Sequence, residues 1–119
     1  MKRTSKDYII DISTSITNIS DFIQGMDYND FVNDTKTVYA VIRALEIIGE
    51  ATKNVPDSIR NKYPVLPWKS MAGMRDKLIH AYFGVRLELI WNTASDLLPQ
   101  LKKEFQKILL NLENNKLEE

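Results

Sequence analysis

Apolar residues recur at steps of three and four along almost the whole chain, and Gly and Pro stand mostly where those runs stop. Ile9, Ile12, Ile16, Ile19 and Ile23 are the cleanest case, because such steps keep every side chain on one face of a helix of about 3.6 residues per turn. The strict alternation that a half-buried strand needs is found nowhere. The period predicts a first helix over about Ser5 to Gln24, followed by Gly25. A second is expected over about Asp30 to Asn54, with Val38, Val41, Ile42, Leu45, Ile48 and Thr52 on one stripe, stopped by Pro56. Pro56 to Tyr63 reads as a short helical turn. Pro67 suits the first position of a third helix, expected over about Trp68 to Phe83 with Gly84 as its cap. A fourth helix from about Leu87 repeats Trp91, Ala94, Leu98, Leu101, Phe105, Ile108 and Leu112, with a kink at Pro99. Residues 114–119 are polar and expected to fray. The predicted fold class is all-α, a four- to five-helix bundle forming a single domain over residues 1–119.

The size agrees, since 119 residues, 44% of them hydrophobic, fill one core. No apolar run approaches the roughly 20 residues that span a bilayer, and Met1-Lys2-Arg3-Thr4 leads into no signal-peptide core. The expectation is a cytoplasmic protein without membrane contact. With no cysteine there is no disulfide framework, thiol nucleophile or thiolate metal site, and one histidine argues against a histidine-based zinc site. No metal or other cofactor is expected. Sixteen basic residues balance sixteen acidic ones, so any nucleic-acid contact must be local.

That single histidine lies in Met74-Arg75-Asp76-Lys77-Leu78-Ile79-His80-Ala81-Tyr82. Arginine is a permanent cation whose planar fork suits a phosphate, and histidine exchanges a proton near neutral pH, so the pair has the chemistry for a phosphodiester. On an ideal helix Trp68, Met71, Leu78, Ile79 and Tyr82 share one side with Arg75 in their midst, while Lys69, Gly73, Asp76 and His80 fall on the other. Arg75 and His80 are then about 140 degrees apart and do not converge by themselves. An irregular last turn before Gly84, a second protomer across a two-fold axis, or a bent arginine side chain could each bring them together. Plainer roles exist as well. Arg75 could pair with Glu46 or Glu50, His80 could be solvated and idle, and Tyr82 could belong to the core. Gly49, on the apolar stripe of the second helix, costs about 1 kcal/mol relative to alanine and marks a close helix-helix approach.

Arg75-Asp76-Lys77-Leu78-Ile79-His80 resembles the Arg-x4-6-His signature of the HEPN ribonuclease superfamily, and His80-Ala81-Tyr82 extends it to the form found in HepT toxins. Arg43-Ala44-Leu45-Glu46-Ile47-Ile48-Gly49-Glu50-Ala51 resembles that family's second-helix block, and Pro67-Trp68-Lys69 with Gly73-Met74-Arg75 its approach to the third. The likeness spans about Asp7 to Leu101.

The resemblance implies a metal-independent endoribonuclease, a homodimer whose cleft is lined by the motifs of two protomers. It further implies a toxin encoded beside an MntA-type nucleotidyltransferase antitoxin. His80 would then move the proton of a ribose 2′-hydroxyl or of the departing 5′-oxygen, and Arg75 would stabilise the phosphate charge as it builds. Asp76, four residues before His80, favours the protonated imidazole. Lys69, Lys77 and Arg86 are candidate contacts to RNA phosphates. Tyr82 matches the tyrosine that receives an adenylyl group from the antitoxin, which adds charge and bulk beside Arg75. The alternative is a catalytically silent HEPN module serving as the docking or substrate-binding subunit of a nucleotidyltransferase. Whether Arg43, Glu46 and Glu50 brace the bundle or orient the arginine is open at this level.

Overall fold

The isoleucine stripe closes inward as its spacing requires. The computed structural model describes residues 2–80 and 86–114, with backbone alone at 79 and 80. Helix α1 (Ser5–Phe22) buries Ile9, Ile12, Ile16 and Ile19. Its start is a reciprocal capping box: the Thr4 hydroxyl accepts from the Asp7 N–H, and the Asp7 carboxylate accepts from the Thr4 N–H at 2.9 Å. That backbone hydrogen bond holds the Asp7 carboxyl below its ordinary value. Past α1 the chain turns through Gly25, whose φ of 78° lies where a side chain is strained.

The second expected helix is two. Helix α2 (Tyr28–Val32) and helix α3 (Thr35–Lys53) are separated at Asn33 and Asp34. Asp27 and Asp34 each cap a new start, accepting from Asp30 N–H at 2.8 Å and Thr37 N–H at 3.1 Å. Phe31 on α2 is fully buried, with its ring 5.3 Å from that of Trp91. Helix α4 (Asp57–Arg60) lies inside the short turn expected there and closes the end of α3. Arg60 donates through Nη2 to the Thr52 carbonyl at 2.6 Å and through Nε to the Val55 carbonyl at 3.0 Å.

The third expected helix also breaks, into α5 (Trp68–Ala72) and α6 (Met74–His80), with Gly73 between them. Pro67 is the residue before α5 rather than its first. The expected end at Phe83 and cap at Gly84 lie outside the described residues. Trp68 is held by its indole N–H, which donates to the Tyr63 carbonyl at 2.9 Å, and meets Phe105 edge-on at 5.6 Å.

In the fourth rod the expected kink is a π-helical segment, Thr93–Leu97, between α7 (Leu87–Asn92) and α8 (Leu98–Glu113). Pro99 cannot donate to the turn before it, and the Leu98 N–H reaches back five residues to the Thr93 carbonyl. The hydroxyls of Thr93 and Ser95 donate to the Leu89 and Trp91 carbonyls, which loosens the same turns. Ile90, Ala94 and Leu98, at steps of four, are buried, whereas Trp91 is half-buried.

The result is an all-α bundle of four rods: α1, α3, α5 with α6, and α7 through α8. Helix α1 packs on α3 and α8, and α3 carries α5 and α6. No described helix is long and apolar enough to cross a membrane.

Candidate active site

Arg75 is placed by a glycine. A Cβ built on Gly49 would sit 2.8 Å from the Arg75 backbone nitrogen, 3.3 Å from its Cβ and 3.4 Å from the Met71 carbonyl oxygen. The first turn of α6 therefore rests directly on α3, and the approach expected at Gly49 is made by the residue of interest. Arg75 starts from a helix-helix contact and sends its guanidinium outward, which explains how an arginine can occupy an apolar stripe. Its Nε lies 3.3 Å from Glu50 Oε2, with both side chains substantially exposed at 43% and 60%. Of the two carboxylates considered as partners, Glu50 is the one used. Glu46 and Arg43 form no ion pair with a described residue.

One turn further along α3, Lys53 Nζ lies 3.3 Å from both oxygens of Asp76. The structure thus assigns Asp76 a partner that sequence reasoning missed. The signal was present, because Glu50 and Lys53 are three apart on α3 and carry charges opposite to those of Arg75 and Asp76.

Lys69 and Lys77 come together elsewhere. With Leu66, Pro67, Trp68, Ser70 and Gly73 they line an open depression of about 600 Å³, which Arg75 does not line. Neither lysine forms an ion pair with a described residue, so both charges are available to a phosphate. Arg86 precedes α7 and is exposed. The backbone of α6 is α-helical from Met74 to His80, so five residues still separate Arg75 and His80 by about 140 degrees around the axis. The His80 side chain and the whole of Tyr82 lie outside the described residues.

Chemically, this surface offers a guanidinium whose root lies against α3 and whose Nε side faces the Glu50 carboxylate as an ion pair. Such a group suits the developing charge of a phosphoryl centre.

Residues 12–108 match the family HepT-like, described as Ribonuclease HepT-like. The chain is 51% identical over 108 residues to "Probable ribonuclease HepT" of Thermococcus cleftensis, covering 91% of this chain and 98% of that one. It is also 51% identical over 112 residues to "Putative RNase MJ0125" of Methanocaldococcus jannaschii, covering 94% and 97%. No solved structure gives a significant match.

Proposed function

Since the chain belongs to the HepT-like ribonuclease family, we propose that it is a metal-independent endoribonuclease. We infer that it acts in the cytoplasm as the toxin of a toxin-antitoxin pair. The observation that carries the reading is the half-exposed guanidinium of Arg75, seated on α3 through Gly49 on the helix that also bears His80.

The reaction needs no imported group. His80 takes the proton of a ribose 2′-hydroxyl, the 2′-oxygen bonds to phosphorus, and the bond to the 5′-oxygen breaks as that oxygen gains a proton. A 2′,3′-cyclic phosphate and a 5′-hydroxyl result. Arg75 stabilises the extra charge on the phosphorane. The chain has one histidine, so base and acid on one phosphodiester call for a second protomer or a solvent proton. A homodimer with two motifs in one cleft meets that demand. Lys69, Lys77 and Arg86 hold neighbouring phosphates.

Control rests on Tyr82. Its phenolic oxygen attacks the α-phosphate of ATP, pyrophosphate leaves, and the adenylyl group remains as a phosphodiester. A cognate MntA-type nucleotidyltransferase catalyses the transfer. The new negative charge competes with RNA for Arg75.

The test uses purified protein and total RNA in excess chelator. Cleavage should persist without divalent ions, and Arg75→Ala and His80→Ala should each lower it by on the order of 100-fold or more. Co-expression with the nucleotidyltransferase should add one adenylyl mass to the parent and none to Tyr82→Phe. Undiminished cleavage by both variants would remove the nuclease proposal, and an adduct on Tyr82→Phe would remove the regulatory one.

A further inference from the structure

We propose that Glu50 is a positioning residue for Arg75, holding the guanidinium by its Nε edge so that the Nη1–Nη2 edge is the one offered to an RNA phosphate. The proposal rests on the ribonuclease reading above and goes one residue beyond it.

Three observations converge on α3. Gly49 brings the Arg75 backbone nitrogen to 2.8 Å from where a Cβ would stand, so the root of the side chain lies directly against α3. The remaining freedom lies in the side-chain torsions, and Glu50, next to Gly49, meets Nε at 3.3 Å. Lys53, one turn on, engages both oxygens of Asp76. The neighbouring carboxylate is thereby occupied and Glu50 is left as the acid on Arg75. Glycine and glutamate on one turn and lysine on the next thus seat the backbone, orient the cation and occupy the adjacent anion.

The chemistry of the fork gives this arrangement a purpose. A guanidinium can grip an oxyanion side-on through Nε and one Nη, or end-on through both Nη groups. The Glu50 carboxylate lies on the Nε side as an ion pair, so the end-on grip is the one that its charge leaves open. Exposed ion pairs contribute little to stability, so Glu50 at 60% exposure is a poor brace for the bundle. Its carboxylate also offsets part of the pull of Arg75 on RNA at rest. Orientation is therefore gained at some expense in ground-state affinity.

Those properties separate positioning from structure. Glu50→Ala should lower kcat about tenfold to a hundredfold, as misplaced catalytic groups do. KM should stay level or fall and Tm should be unchanged. Glu50→Gln keeps the length and an oxygen beside Nε, and should recover most of the kcat while KM falls. Parental kcat in Glu50→Ala overturns the proposal. So does an equal kcat loss in both variants, or a loss that tracks a lower Tm. Arg75→Ala is measured in the same series. If it cleaves like the parent, the nuclease reading fails and takes this inference with it. If it is inactive while Glu50→Ala keeps the parental kcat, the positioning role alone fails.

Discussion

Gly49 gives up helix propensity so that α6 can lie against α3 at Arg75. Alanine there gains about 1 kcal/mol of intrinsic preference, yet its Cβ meets a backbone nitrogen that no rotamer change can move aside. Overpacking of this kind costs roughly 1–3 kcal/mol, and the displaced turn carries the arginine. Gly49→Ala should lower stability in urea by a net amount on the order of 1 kcal/mol and reduce RNA cleavage more than that loss explains. A variant as active and as stable as the parent would show that the contact does not matter. The sequence marks this glycine as a close approach because it interrupts an apolar stripe. It does not tell which glutamate takes the arginine, since Glu46 and Glu50 are four apart and share a face. The height of α6 along α3 decides, and only the packed structure fixes that height. His80 and Tyr82 are proposed from the motif's resemblance alone, which says nothing of their surroundings.

At the level of elements, the period of three and four locates every rod and misses the breaks at Asn33 and Gly73. Periodicity reports which residues face inward, whereas breaks arise from local competition for backbone hydrogen bonds. Asp34 illustrates this, because its carboxylate accepts the Thr37 N–H at 3.1 Å and starts α3 afresh inside what reads as one helix. Asp34→Ala should therefore cost about 1 kcal/mol in a denaturant titration, as lost N-caps do. Asp34→Asn should cost less, and a null effect of both would mean that packing of Phe31 alone sets the break. The fourth rod shows the same limit. Of its expected stripe, Ala94, Leu98, Phe105, Ile108 and Leu112 are buried and Trp91 and Leu101 pack half-buried against the core, while buried Ile90 goes unread.

For the whole molecule, the long stripes of α1 and α8 close within one chain. Ile9, Ile12, Ile16, Ile19, Phe105, Ile108 and Leu112 are all buried without a partner. Seam length therefore lends no weight to a homodimer, which rests instead on the single histidine and on the family. One apolar depression of about 210 Å³ stays open, between Leu45 on α3, Met74 and Leu78 on α6, and Leu89 and Ile90 on α7. Light scattering after gel filtration should give twice the 13.8 kDa chain mass. On dilution, cleavage per chain should fall as that mass falls. A fully active monomer would assign both proton transfers to one chain and solvent.

The π turn at 93–97 has a consequence for how the fourth rod meets its neighbours. A regular helix has a single azimuth, so seating one end dictates the other. With its wider turn inserted, the stretch before Thr93 and the stretch after Leu97 are indexed separately. Ile90 and Phe105 each point at the centre without compromise between them.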